Sequence, residues 1–160
     1  MAKTASTRVG SGIPGFGDSE GAERRNFKKL DGEFKVEIIE CLESPNKKNP
    51  KNTNVRLRTT ILGGPEQADG SDMEGKEVSW FLNVDPDLVN DNGKRFTVDQ
   101  YKSVYLAAGV KTTGNQPEPK KLAGKTIAIQ AWESKPDEKG TTYQRWAAVS
   151  LAESKTFAED

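Results

Sequence analysis

The chain has no histidine and a single cysteine, Cys41. One thiol cannot close an intramolecular disulfide, and without His or paired Cys the usual zinc sites are excluded. The same lack of histidine removes the general base of the common Ser/His and Cys/His catalytic sites. Apolar residues make up only 33% of the sequence, against the roughly 45–50% of globular chains by a count that also includes Gly. Part of the length is therefore expected to stay outside any core. No apolar run approaches the ~18 residues of a membrane span, and the first residues lack the apolar centre of a signal peptide. The expectation is a soluble, cytoplasmic protein in a reducing compartment.

Net charge is missing too, since 24 Lys and Arg balance 24 Asp and Glu; bulk positive charge is not available to hold a polyanion. The charges are instead segregated. Five basic residues and no acid lie between Pro45 and Arg58 (Lys47, Lys48, Lys51, Arg56, Arg58), whereas Glu66 to Asp91 holds eight acids and one Lys.

At 160 residues the chain suits one domain. Residues 1–29, rich in Gly, Ser, Ala and Thr, cannot offset the entropy of ordering and are expected to be a flexible tail. Arg24, Arg25, Lys28 and Lys29 stand near its end, as a solubilising leader or as phosphate contacts. The domain is expected over 30–152. Phe34, Val36, Ile38, Glu40 and Leu42 alternate as the inward side of a first strand, and Val55, Leu57, Thr59 and Ile61 alternate opposite Arg56, Arg58 and Thr60 in a second. In a third, Val78, Trp80, Leu82 and Val84 oppose Ser79, Phe81 and Asn83, with Trp80 assigned to the core.

The period then changes. Thr97-Val98-Asp99-Gln100 has the form of a capping box, with Phe96 placed to staple onto Tyr101. Val98, Tyr101, Val104, Tyr105 and Ala108 follow on one stripe, and Gly109 stands where a helix would end. Ile127, Ile129 and Ala131 mark a fourth strand. A fifth runs from about Thr142 to Leu151, and 153–160 reads as a short, acidic, unstructured tail.

Three strands, one short helix and two more strands is the order of the OB-fold, a mainly β, five-stranded Greek-key barrel; an unrelated α+β sheet would share that order. Four segments then carry a resemblance: Leu30-Asp31-Gly32-Glu33-Phe34-Lys35-Val36, Gly75-Lys76-Glu77-Val78, Tyr101-Lys102-Ser103-Val104-Tyr105-Leu106-Ala107-Ala108 and Leu122-Ala123-Gly124-Lys125. In that order and spacing the chain resembles the phage-encoded OB-fold single-stranded DNA-binding proteins and their uncharacterised relatives, over roughly residues 30–152. The resemblance implies protection of single strands during phage DNA replication and recombination, in the host cytoplasm. It also implies recruitment of replication or recombination proteins through the C-terminal end, Phe157-Ala158-Glu159-Asp160. RNA remains open as a ligand, and no cofactor or membrane partner is expected.

OB-folds hold oligonucleotides on strands two and three between the loop joining strands one and two and the loop joining strands four and five. On that layout Lys47, Lys48 and Lys51 fall in the first loop and Arg56 and Arg58 on the outward side of strand two, placed to neutralise phosphates; a solvated loop and strand face is the plainer reading. Phe81 is the leading ring for base stacking. Trp132 and Trp146 fall on the mostly small or polar sides of strands four and five, as a cross-strand aromatic pair, as packing under the tail or as base platforms, with Tyr143 and Arg145 near the hairpin tip. The acids around strand three are expected on loops away from this groove.

Enzyme signals are weaker. Gly17-Asp18-Ser19-Glu20-Gly21 matches a nucleophile-elbow pattern but lies in the tail without a strand before it. Gly70 to Lys76 imitates a phosphate loop, yet Glu77 replaces the needed Ser or Thr and a strand follows. Asp85, Asp87, Asp91 and Asn92 lack calcium-loop spacing. No catalytic or metal residue is assigned. The reading is a single-strand-binding module without strong sequence preference; the alternative is a virion or scaffold protein using the same barrel as a protein-binding platform.

Overall fold

Val55, Leu57, Thr59 and Ile61 all point to one buried side of a regular strand, and the rest of the fold is organised around that face. The protein is described here by a computed structural model covering residues 29–158. The basic residues Arg24, Arg25 and Lys28 lie outside the described residues. The strands are β1 (Gly32–Pro45), β2 (Thr53–Gly63), β3 (Glu77–Val84), β4 (Thr126–Glu133) and β5 (Gln144–Val149), and one helix, α1 (Phe96–Ala108), separates β3 from β4. They form a mainly β structure, a five-stranded antiparallel open sheet in the order β3-β2-β1-β4-β5. Among the described residues no helix is long and apolar enough to cross a membrane.

β1 serves two partners. Its first part, Gly32 to Glu37, pairs with β4, and the strand from Lys35 to Pro45 pairs with β2. Register shifts at Lys35/Val36 and Ile38/Glu40 mark bulges, and the second reverses the expected alternation. Phe34, Val36 and Ile38 are buried as expected, but beyond the extra residue Ile39 it is Cys41 that turns inward, while Leu42 is exposed. An inserted residue flips every later side chain to the other face.

The core joins Phe34, Val36 and Ile38 to Leu57, Ile61, Trp80, Ile127, Ile129 and Trp146, with Tyr101, Val104 and Tyr105 of α1 across one end. Thr59, the polar member of β2's inner row, is satisfied: its hydroxyl donates to Val78 O at 2.9 Å and accepts from Trp80 Nε1 at 2.9 Å.

Helix α1 starts before the expected cap. Arg95 occupies the N-cap without a side-chain bond, and Thr97 lies within the first turn. Its hydroxyl instead accepts from Asp85 N at 2.9 Å and donates to Asp85 O at 3.1 Å, and Gln100 Nε2 donates to Trp146 O at 2.8 Å. The two polar residues of the apparent capping box thus tie the helix to the end of β3 and to β5. Phe96, expected to staple ahead of the cap, is the first residue of the helix and is exposed. The C-terminal expectation holds: Gly109 is left-handed (φ 71°), with Gly109 N and Val110 N bonding back to Leu106 O and Tyr105 O.

Two further departures follow from long-range partners. The stretch Lys111 to Lys121 contains the start of a 3-10 turn, Pro119–Leu122, that buries Leu122. The expected loose end at 153 is docked as far as the described residues go: a 3-10 turn, Leu151–Glu153, precedes buried Ser154, whose hydroxyl donates to the Glu33 carboxylate while Thr156 N donates to Glu33 Oε1 at 3.0 Å.

Candidate nucleic-acid interface

Because residues of paired strands stand opposite one another, the outward face of β1, β2 and β3 can be built row by row. From the β1–β2 loop downward the rows are Ser44–Asn54–Asn83, Leu42–Arg56–Phe81, Glu40–Arg58–Ser79 and Glu37–Thr60–Glu77. The first two rows wall a groove of about 590 Å³ that also takes in Glu43.

Phe81 is the most exposed large apolar side chain among the described residues, at 68%. Arg56 lies beside it, its guanidinium carbon 5.9 Å from the ring centroid and its Nε donating to Ser79 Oγ at 3.0 Å. This is the geometry of a cation held at a ring face. Arg56 forms no carboxylate ion pair among the described residues. Above it, Lys47, Lys48 and Lys51 are exposed on a compact loop in which Asn46 Oδ1 accepts from Lys48 N at 2.9 Å and Asn49 N at 3.1 Å. Asn46 Nδ2 donates to Asn54 Oδ1 at 3.1 Å, pinning the loop to the top row. Glu43 is held by the Tyr101 hydroxyl, which also meets Tyr105 Oη at 2.9 Å. Burial pushes the Tyr105 hydroxyl up to about 12, so it remains a neutral hydrogen-bonding group.

Arg58, unlike Arg56, is ion-paired on this face. Its Nε and Nη2 donate to both oxygens of Glu77, at 3.3 and 2.9 Å, and its Nη1 donates to Glu40. The hydrogen bonds from Arg58 hold the Glu77 carboxyl below the usual range, and those to Glu77 and Glu40 raise the guanidinium further. The expectation that the acids around β3 keep to distant loops is corrected accordingly for Glu77, which lies on the strand face itself, and Glu40, expected on the inward side of β1, stands on the same face opposite Arg58. Asp85, which follows β3 at the lysine end, is taken up in its own turn, its Oδ1 accepting from Asp87 N at 2.9 Å.

The two hairpin tryptophans do not meet. Ala131 pairs with Trp146 and Trp132 with Arg145, so one register step separates the indoles and they face opposite ways. Trp146 is 4% exposed, its ring centroid is 6.1 Å from that of Trp80, and its Nε1 donates to Phe81 O at 3.0 Å. Its placement as a surface base platform is therefore corrected to a core residue. Trp132 at 44% and Tyr143 at 47% are exposed. Arg145 carries its guanidinium carbon 5.6 Å from the Tyr143 ring centroid, which makes a second cluster of rings and cation on β4 and β5. Asp137 organises that hairpin by accepting from Thr141 N and Lys139 N at 2.9 Å each and from the Tyr143 hydroxyl at 3.2 Å.

The bond from the Trp146 indole to Phe81 O links β5 to β3, the two edge strands of the sheet, through one side chain. Phe81 and Arg145 are both exposed. Leu42, which the bulge turns outward, completes the ring-bearing row and had no signal in the alternation pattern. No family model and no curated protein matches the chain.

Proposed function

We propose that this protein binds single-stranded DNA, without strong sequence preference, across the outward face of β1–β3 and the adjoining β4–β5 hairpin of an OB-type Greek-key barrel. The barrel reading is supported by β1 pairing with both β2 and β4, by the bulges in it, by a helix between β3 and β4, and by the side-chain bond from Trp146 on β5 to the carbonyl of Phe81 on β3. The resemblance to phage single-strand binders adds the setting, DNA replication or recombination.

The observation that carries the binding reading is the exposed pair Arg56 and Phe81 beneath a lysine-bearing loop. A base stacked on Phe81 gains roughly 1–3 kcal/mol whatever its identity, and the adjacent guanidinium and the lysines meet the phosphates on either side. Trp132, Tyr143 and Arg145 offer the same chemistry on the β4–β5 hairpin. A duplex offers no free base face to such a ring, which favours single strands.

Fluorescence anisotropy of labelled oligo(dT) across a salt series tests this. Affinity falls as salt rises. Phe81→Ala weakens binding roughly 5- to 150-fold, and Arg56→Ala lowers the salt slope by about 0.7. No binding at low salt would end the proposal in favour of a protein-binding platform, which instead requires self-association or a protein ligand.

A further inference from the structure

The face described above is electrically divided. Its loop end carries Lys47, Lys48, Lys51 and Arg56 against the single carboxylate Glu43, whereas the two rows below carry three carboxylates, Glu37, Glu40 and Glu77, of which the last two hold the single guanidinium, Arg58. Those acids are not scattered neighbours. Glu77 takes Nε and Nη2 of Arg58 together and Glu40 takes Nη1 from the opposite side, so carboxylates occupy the positions a phosphate would use. A nucleic-acid phosphate arriving at Arg58 would have to displace a carboxylate and then lie beside both.

We infer that Glu40 and Glu77 are specificity-determining residues that hold Arg58 out of the binding site and confine the bound strand to the loop end of the sheet. The inference rests on the single-strand reading given above. On this basis the ligand crosses the sheet at the Leu42–Arg56–Phe81 row and leaves over the edge of β3, because continuing down the strands would set phosphates against carboxylates. The acids limit affinity and keep the complex reversible.

The test is a mutant cycle read by oligo(dT) anisotropy over a salt series, with far-UV circular dichroism as the check that these exposed, near-isosteric changes leave the fold intact. Glu40→Gln with Glu77→Gln is expected to tighten binding roughly 3- to 10-fold at low salt, the size of one new charged contact, and to steepen the salt slope by about 0.7 as Arg58 takes up a phosphate. Adding Arg58→Gln to that pair is expected to abolish both gains. Arg58→Gln alone leaves the native salt slope unchanged, since that group makes no phosphate contact.

A double variant that binds no tighter would overturn the inference. So would a gain that survives Arg58→Gln, which would mean general repulsion rather than a sequestered cation, and so would a shallower slope from Arg58→Gln alone. Native protein that ignores oligo(dT) at low salt refutes the underlying single-strand reading instead, and the two failures are thereby told apart.

Discussion

Replacing Trp146 by Phe probes the side-chain bond that ties β5 to β3 across the core. The change deletes the indole N–H that donates to Phe81 O and withdraws part of a ring system packed 6.1 Å from Trp80. The hydrogen bond is worth about 1 kcal/mol net. Shrinking a fully packed indole to a phenyl ring adds roughly 1–2 kcal/mol of lost transfer energy and unfilled space. The expected loss is therefore about 2–3 kcal/mol, seen as a lower midpoint in urea at unchanged m-value and a melting temperature down by roughly 5–12 °C. Trp132→Phe is the internal control. The same substitution one register step away, on an exposed side chain, should move stability by no more than about 0.5 kcal/mol. Equal losses for the two would refute the reasoning, because they would place both indoles in the same environment and contradict the pairing of Ala131 with Trp146.

Gly64→Ala would place a Cβ 2.4 Å from Cδ1 of buried Phe34, so the backbone or the ring must shift; a loss of about 1–3 kcal/mol in urea unfolding is expected, and a neutral result would show that this approach is not tight. Glu33 predicts an acid-sensitive C-terminal turn. Its partial burial opposes ionisation, but hydrogen bonds from Ser154, Gln130 and Thr156 outweigh it and hold the carboxyl below its usual range. A depressed carboxyl contributes stability above its unfolded pKa of about 4 and loses it as pH falls through the lower folded value. The Thr156 and Phe157 amide resonances should therefore move together in an acid titration of the native protein and should lose that response in Glu33→Gln; titration unchanged in the variant would remove Glu33 as the cause.

How much was legible varied with the distance of the deciding partner. β2 was read residue by residue because its alternation is unbroken and each apolar side chain needs only one buried face. β1 was misread beyond Ile38 because its bulge answers to two partner strands, which alternation along one strand does not encode. Thr97 and Gln100 fit a local cap, yet their partners are Asp85 and the carbonyl of Trp146, the latter 46 residues away. Arg58 read as a free cation because Glu40 and Glu77 lie 18 and 19 residues off, and the end of the chain read as loose because Ser154 finds Glu33 at a separation of 121. Trp146 could have been placed from its neighbour: a charged Arg145 must face water, so in a strand the next residue faces in.

The proposed site and the Trp146 bond meet at Phe81 without sharing atoms. The bond uses its carbonyl oxygen, while base stacking would use its ring. Truncating the ring therefore removes the platform but leaves the bond from Trp146 in place, so Phe81→Ala should bind oligo(dT) weakly while melting within about 0.5 kcal/mol of the native protein, as an exposed side chain should. Trp146→Phe inverts the pattern: stability falls, but at a temperature where the fold is fully populated the outward row Leu42–Arg56–Phe81 is intact and affinity is retained. If both substitutions lowered stability and affinity in parallel, Phe81 would have to be a packing residue, and the face it stands on would lose its claim to a ligand.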